Sequence, residues 1–339
     1  MKKKIRYGII GCSSIAERST IPAIIESTNS HLQMIGSRFD DKAKKFSKLF
    51  SCNSYGRYDE VLENKDVDSV YISLPVGLQE KWILKAIKAG KHILCEKSMT
   101  TSHSSTKKIL KNCKQNESRI LEGFTYRFHP QHAKVNSMIK QNFLGRIFSF
   151  SAKYGFSKKF SKDDFRFVPE LGGGSLNDLG CYIINSSRMI FDSNPVEIKC
   201  TLIRENSHHV DTQGSILMNF NDKKIAHGFF GYNNYFQSTY DLWSDKALVN
   251  LEWAYNIKKN ISAKINIIKQ NKTKQICLKP ANQFTLMIDS FSLELQKPGS
   301  SKFNFENEIL NQSLVMDSAR LSSKKNKPVY LPEINPKNR

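Results

Sequence analysis

The sequence predicts an α/β protein in which a doubly wound parallel sheet is followed by a second α/β domain. Two observations carry this. Between residues 4 and 124, short β-prone runs alternate with helical segments, the pattern of a parallel sheet covered by helices. From Phe143 onward the β-prone runs lengthen and are separated by turn signals such as Asn221-Asp222, the pattern of antiparallel strands. A chain of 339 residues is long enough for two cores, and the change of pattern places the domains at 1–122 and 123–339.

Composition narrows the class. Apolar residues at 39% and charged residues at 24% describe an ordinary globular chain. No apolar run reaches the roughly 20 residues of a membrane helix. Met1-Lys2-Lys3-Lys4 superficially resembles the start of a signal peptide, but its apolar stretch runs only from Tyr7 to Cys12, so a first strand and a cytoplasmic protein are expected. Seven scattered cysteines without Cys-x-x-Cys argue against a disulfide framework or zinc ribbon and fit a reducing compartment. The net charge of +21 could mark nucleic-acid binding. The lysines are dispersed, however, with Lys107, Lys108, Lys111 and Lys114 on a helix, Lys158 and Lys159 in a loop, and others from Lys258 to Lys274. A solvated basic surface is the better account, one that would also draw in anionic small molecules.

The first unit reads as follows. Lys4 to Ile10 is a strand, and Gly11-Cys12-Ser13-Ser14-Ile15-Ala16 leads into a helix ending near Glu26. Gly-x-Ser-x-x-Ala between strand and helix is a variant of the dinucleotide fingerprint: Gly11 makes the turn, Ser13 stands where backbone nears a pyrophosphate, and Ala16 allows close packing. An ordinary strand-to-helix turn remains the alternative. The next strand, His31 to Gly36, ends in Ser37-Arg38 rather than a carboxylate, which favours NADP(H) over NAD(H); the alternative is Arg38 as a surface charge. Val67 to Leu74 is a strand ending at Pro75, and Gln79 to Ala89 is a helix closed by Gly90. His92 to Cys95 is a strand followed by Glu96-Lys97, which places Lys97 where open α/β sheets bind ligands. Thr106 to Gln115 is a helix, and Arg119 to Phe124 a strand.

In the second half, strands are expected at Ile147 to Tyr154, Val196 to Arg204, Gly214 to Phe220, Ile225 to Tyr232 and Thr239 to Ser244. Helices are expected at 282–296 and about 307–321, the latter able to pack back on the first domain. Gly172-Gly173-Gly174 gives a backbone able to turn tightly and approach another molecule closely. A helix starting near Ser175 would align Asp178, Tyr182 and Asn185 on one stripe, with Leu179, Ile183 and Ile190 on the adjoining core stripe. A carboxylate and a phenol one turn apart suit proton transfer. A capped amphipathic helix is the plain alternative. His129-x-x-His132 and His208-His209-x-Asp211 each lack a full metal shell, so no metal is expected. His129 either caps the helix after Pro130 or lines the cleft.

Taken in order, Gly8 to Ala16, Leu74-Pro75-Val76-Gly77-Leu78, Ala89 to Lys97, Tyr126-Arg127-Phe128-His129-Pro130 and the triglycine stretch through Tyr182 resemble the glucose-fructose oxidoreductase/inositol dehydrogenase/MocA family. The resemblance implies a Rossmann domain, then an α/β domain on an open, mostly antiparallel sheet used in dimerisation, so a homodimer or homotetramer. It also implies oxidoreduction at a sugar or polyol carbon. Lys97 matches the lysine of the family's Glu-Lys-Pro motif, and Asp178 and Tyr182 match its catalytic Asp and His-or-Tyr position. Cofactor contacts are implied for Gly11, Cys12, Ser13, Ser14, Ile15, Ser37, Arg38, Leu74, Pro75, Glu96 and Lys97. Substrate contacts are implied for Tyr126, Arg127, Arg166 and Asn185. For Arg166, a substrate phosphate competes with a salt bridge to Asp163 or Asp164. The stretches Phe165 to Gly172 and Phe230 to Tyr235 look closest to nucleotide-sugar ketoreductases. Three departures bear on substrate and aim: Ser98 replaces the motif's Pro, Gln79 stands where many members have His, and 248–255 lacks an Arg carried by many ketoreductases.

The expected chemistry is reduction of a keto-sugar, expected to be nucleotide-linked, by a hydride from NADPH, with Lys97 stabilising the oxyanion and Tyr182 giving the proton. An ammonium about 4 Å from the phenol would contribute roughly 4 kcal/mol, or about three pKa units, against which the charge of Asp178 would act. Two alternatives stand beside it: a sugar, polyol or dihydrodiol dehydrogenase working in the oxidising direction, and a cofactor-binding regulator without activity. The expected partner is a sugar or sugar nucleotide, with no membrane and no nucleic acid.

Overall fold

The computed structural model describes residues 4–157, 161, 164–205, 209–270, 272–301 and 303–331. Lys158, Lys159, Asp163 and His208 lie outside these residues. The chain divides into two compact units, 1–125 with 282–310, and 126–281 with 311–339.

The first unit opens with β1 (Ile5–Ile10), a π-helical turn at Ala16–Thr20, α1 (Ile21–Glu26), β2 (Ser30–Gly36) and α2 (Asp40–Leu49). It continues through β3 (Tyr55–Gly56), α3 (Tyr58–Glu63), β4 (Ser69–Ile72), α4 (Val76–Lys88), β5 (His92–Cys95), α5 (His103–Gln115) and β6 (Ile120–Glu122). Every strand pair is parallel, in the order β3-β2-β1-β4-β5-β6. The order reverses between β1 and β4, so the loops after these strands splay apart into the crevice where such sheets bind ligands. Ile10, Val70, Ile72, Ile83, Ile93, Ile109 and Ile120 fuse the sheet and its helices into one core. Each such side chain contributes about 1.5–3 kcal/mol by leaving water.

The second unit holds α6 (Pro130–Lys140), β7 (Ile147–Phe156), α7 (Cys181–Phe191), β8 (Glu197–Ile203), β9 (Gln213–Phe220), β10 (Lys224–Tyr232) and β11 (Gln237–Ser244). β12 (Leu248–Leu251), β13 (Ala263–Lys269) and β14 (Lys272–Leu278) follow. α8 (Gln283–Gln296) belongs to the first unit, α9 (Phe305–Lys325) runs through the boundary, and β15 (Val329–Tyr330) closes the sheet edge. The sheet has nine strands, β14-β13-β12-β11-β7-β10-β9-β8-β15, and is antiparallel except where β10 pairs with β7. On its inner face Phe150, Ala152, Met218, Ala226, Tyr240 and Leu242 are buried, and α7 packs across β7 and β10. On its other face Phe229 is 57% and Trp243 61% exposed.

Two differences from the sequence reading concern organisation. The reading kept 123–339 together, whereas 282–310 groups with the first unit. Ser27 and Asn29 there donate to Asp289 of α8 at 2.6 and 2.8 Å, and Arg119 pairs with Glu294 and Glu306. A long-range return of this kind leaves no local periodicity to read. Strands β12 to β14 were also absent from the reading; β12 has only four residues, and β14, at the sheet edge, is mostly exposed and polar. No described helix is long and apolar enough to cross a membrane.

Candidate active site

The turn after β1 is built for close backbone approach. Gly11 has φ of +108°, and a Cβ there would lie 2.8 Å from the carbonyl oxygen of Ser73, whose hydroxyl donates to the Gly11 carbonyl at 2.7 Å. Ser13 Oγ accepts from the Ala16 amide at 3.1 Å and so caps the first helical turn, leaving Ser14 exposed at the mouth of the turn. The Ser in place of the fingerprint's second glycine is therefore used locally. At the end of β2, Ser37 is buried and receives the Phe39 amide, while Arg38 is exposed with its guanidinium 5.5 Å from the Phe39 ring centre. The nearby Asp40 is taken by Arg57 at 2.6 Å, so it does not present a carboxylate in the role of a ribose ligand. Cys12, Ser14, Glu17, Asp41, Lys42, Lys45 and Phe46 line a hollow of about 510 Å³ beside this turn. A glycine turn without room for a side chain, a helix start and cations at the β2 end fit a dinucleotide phosphate chain. Lys42 and Lys45 were not singled out from the sequence. Their helical spacing after Arg38 was the available signal. Burial lifts the Cys12 thiol to about 11, keeping it neutral.

At the next crevice wall, Gln79 donates to the Leu74 carbonyl at 2.8 Å and accepts from the Cys95 thiol at 3.0 Å, tying the ends of β4 and β5 together. The Gln that departs from the usual His thus serves as a brace. Glu96 and Lys97 follow β5, both half-buried, and the Lys97–Ser98 peptide is cis.

In the second unit the triglycine stretch packs on its own chain. A Cβ on Gly173 would lie 2.5 Å from the Arg166 carbonyl, and one on Gly174, at φ +111°, 2.5 Å from Asp211 Oδ1. The chain's own packing thus requires glycine at both positions. Asp211 accepts from Ser175 Oγ and the Leu176 amide, each at 2.7 Å, and so anchors the start of the helix. That helix begins with a π turn, Leu176–Gly180, before α7. Leu179, Ile183 and Ile190 are buried as expected. Asp178 and Tyr182 are both half-buried.

Arg166 Nε donates to Asp178 Oδ2 at 2.9 Å and its Nη1 donates to Asp164 Oδ1 at 3.1 Å. The guanidinium is thus shared between two carboxylates, the salt-bridge arrangement rather than one aimed only at a phosphate. The Tyr232 hydroxyl donates to the same Asp178 oxygen at 3.4 Å. Burial and the charge of Asp178 hold the Tyr232 phenol far above its ordinary pKa, so it remains a donor.

Tyr182 stands among three rings, those of Tyr154, Tyr255 and Tyr126, with centroids 5.0, 5.3 and 5.8 Å away. Two residues expected at the substrate lie beneath it. Tyr126 is fully buried and donates to Asn185 Oδ1 at 2.6 Å, while Asn185 is 1% exposed and donates to Gln312 at 3.2 Å. Arg127, half-buried, reaches Asn185 Oδ1 at 3.4 Å. Tyr154, Tyr232, Tyr255 and Asp211 were missed as site residues because only the folded sheet brings them beside α7. His129 accepts from the Gln131 amide and caps α6. Burial lowers its pKa to about 4 and that of His132 to about 3. Among the described residues no His, Cys, Asp and Glu cluster could hold a metal.

Two family models match in sequence. Residues 5–124 match an oxidoreductase family with an NAD-binding Rossmann fold, and 132–249 the Gfo/Idh/MocA C-terminal domain. The chain belongs to the Gfo/Idh/MocA oxidoreductase family. It is 29% identical over 301 residues to a dTDP-3,4-didehydro-2,6-dideoxy-alpha-D-glucose 3-reductase from Saccharopolyspora spinosa, covering 87% of this chain and 89% of the relative. It is 25% identical to a D-xylose 1-dehydrogenase (NADP(+)) from Haloferax volcanii, covering 89% and 93%. Among solved structures it is similar to a 3-ketoreductase from Actinomadura kijaniata in complex with NADP and TDP-benzene, with TM-score 0.89, 27% identity, and 94% and 98% of the two chains covered. As a family member it is an oxidoreductase, and its parallel and mostly antiparallel sheets are those the sequence implied.

Proposed function

We propose that this chain is an NADP(H)-dependent reductase of a nucleotide-linked keto-sugar, one whose sugar carries a nucleoside diphosphate. The observation that carries this reading is the Asp178–Tyr182 turn, held by Arg166, Tyr232 and the tyrosine rings, in a chain similar to the 3-ketoreductases over most of its length. NADPH supplies the hydride when bound. Its phosphate chain would be held by the Gly11–Ile15 turn, its 2′-phosphate by Ser37, Arg38 and Lys42, and its nicotinamide half by Leu74, Pro75 and Glu96. The ammonium of Lys97 opposes the charge growing on the carbonyl oxygen, and the Tyr182 hydroxyl delivers the proton. Pairing with Arg166 offsets the charge of Asp178, so this carboxylate can orient a substrate hydroxyl with less resistance to phenol ionisation. Tyr126 and Asn185 support the Tyr182 ring from below, and Arg127 and Arg166 remain the candidates for substrate phosphates.

A second reading, oxidation of a free sugar or dihydrodiol, is favoured by the similarity to the D-xylose dehydrogenase. Steady-state assays separate the two. The proposal expects NADPH to be consumed with dTDP-linked keto-sugars and NADP⁺ to be reduced poorly with free sugars; the reverse preference would replace it. Fluorescence titration that detects no NADPH binding would remove both. We also propose a homodimer or homotetramer formed through the exposed face of the second sheet, where Leu217, Phe229 and Trp243 stand at 45%, 57% and 61% exposure. Sedimentation of Trp243→Lys tests this, with a shift to monomer expected.

A further inference from the structure

We infer that Tyr71 is a positioning residue for Lys97, acting through Glu96. Resting on the reductase reading, this inference concerns a side chain that touches neither cofactor nor substrate.

Tyr71 lies on β4 and is fully buried. A phenylalanine would fill the same space without carrying a hydroxyl out of water, so the phenol's value lies in its hydrogen bonds. It has two. Its hydroxyl donates to Glu96 Oε1 at 2.6 Å, and it receives the Thr20 hydroxyl at 3.1 Å. The direction follows from the groups: a carboxylate can only accept, so the phenol proton is committed to Glu96 and the phenol oxygen is left to accept from Thr20.

The place of this chain in the fold gives it meaning. The parallel ladder pairs Ile72 with Cys95, and the Glu96 amide donates to the Ile72 carbonyl at 3.0 Å. The Tyr71 bond to the Glu96 side chain lies at the last position the sheet holds. On the far side of Lys97, the Met99 amide donates to Glu122 Oε1 at 2.9 Å. Lys97 therefore sits between two anchors, one at Glu96 and one at Met99. Thr20 ends the π turn that begins at Ala16, directly after the Ser13–Ser14 turn. The relay Thr20, Tyr71, Glu96 thus links the turn proposed for the cofactor's phosphates to the residue before Lys97. Burial, and then the charge on Glu96, hold the Tyr71 phenol well above its ordinary pKa, which keeps its proton available for this bond.

The test is Tyr71→Phe, with Glu96→Gln and Thr20→Val beside it. In Tyr71→Phe, loss of one charge-assisted hydrogen bond is expected to lower kcat about tenfold, with NADPH affinity and KM changed by less than about threefold. Amide hydrogen exchange over 96–99 should accelerate in Tyr71→Phe. Thr20→Val, which leaves the phenol its bond to Glu96, should cost less than about threefold. Tyr71→Phe should cost clearly less in the Glu96→Gln background than alone, because the neutral Gln oxygen offers the phenol only a weaker bond to lose. Unchanged kcat and exchange in Tyr71→Phe, or multiplicative losses in the double variant, would overturn the inference. If wild-type protein reduces no keto-sugar, the reductase reading fails instead, and exchange over 96–99 still decides whether Tyr71 holds the loop.

Discussion

The first unit's sheet is parallel, with its central strands buried under helices on both faces, whereas the second unit's sheet buries one face and leaves Phe229 and Trp243 exposed on the other. The difference sets what each can offer chemically. In the parallel unit the loops after β1, β2, β4 and β5 gather at the strands' carboxyl ends, so backbone amides and short side chains from distant positions can meet an extended, charged cofactor. In the second unit the polar groups come from one helix lying on the sheet. They are fixed by side chains from beneath and beside it: Arg166 and Tyr232 on Asp178, Asp211 at the helix start, and aromatic rings around Tyr182. One unit presents backbone, the other presents acids and phenols.

The largest effects should fall on the two proposed proton and charge donors. Lys97→Met should lower kcat by about a thousandfold while NADPH binding, read by fluorescence, stays within about threefold. Tyr182→Phe should lower kcat by about a hundredfold with the melting temperature little changed. Near-wild-type turnover in either variant would remove that residue from the chemistry. Next comes the glycine that lets Asp211 close on the helix start. Gly174→Ala places a methyl 2.5 Å from Asp211 Oδ1 at φ +111° and should destabilise the protein by about 2–4 kcal/mol, measured by urea unfolding. An unchanged midpoint would show that the loop relaxes freely.

Acid should tell the two units apart. His129 and His132, both in the second unit, are buried neutral with pKa values of about 4 and about 3. Unfolded, each binds its proton near pH 6.5, so their contribution is whole above that pH and is lost as pH falls toward 4 and 3. The loss is about 1.4 kcal/mol per pH unit for each histidine within that window. In the first unit Glu294 behaves differently. Burial would raise it, but the Gly299 and Ser301 amides and Arg119 outweigh burial and hold it at about 2. Its contribution is present above the unfolded value near 4.3 and is lost only as pH falls toward 2. Segment-resolved hydrogen exchange at pH 7, 6 and 5 should show protection falling first in 126–281, and an equal decline in both units would contradict the comparison. The smallest effect is on cofactor choice: Arg38→Ala should narrow the ratio of NADPH to NADH efficiency by about tenfold.

How legible each unit was follows from the same contrast. In the first, a strand, a glycine turn and a helix are neighbours in sequence, so Gly11, Ser37-Arg38 and Lys97 could be placed from local order alone. In the second, Asp178 and Tyr182 were visible as one helical turn, and the helix burial of Leu179 and Ile183 followed from spacing. Their partners were not visible. Tyr232 comes from a strand more than fifty residues on, consistent with its separation of 54 from Asp178, and Tyr255 lies 69 residues from Ser186, which its hydroxyl meets at 3.0 Å. Asn185 and Tyr126 were expected at the substrate, and the fold bonds them to one another in the interior. A sequence shows which groups can act, while long-range packing decides which of them stay available.

The central claim is hydride transfer from the nicotinamide to a sugar carbonyl, and isotope transfer tests it most directly. Wild-type protein given NADPH deuterated at C4 and a dTDP-linked 3-keto-sugar should yield a product carrying one deuterium on the reduced carbon, taken from a single face of the nicotinamide. NADPH that binds while its deuterium never appears in any keto-sugar of the panel would contradict the account.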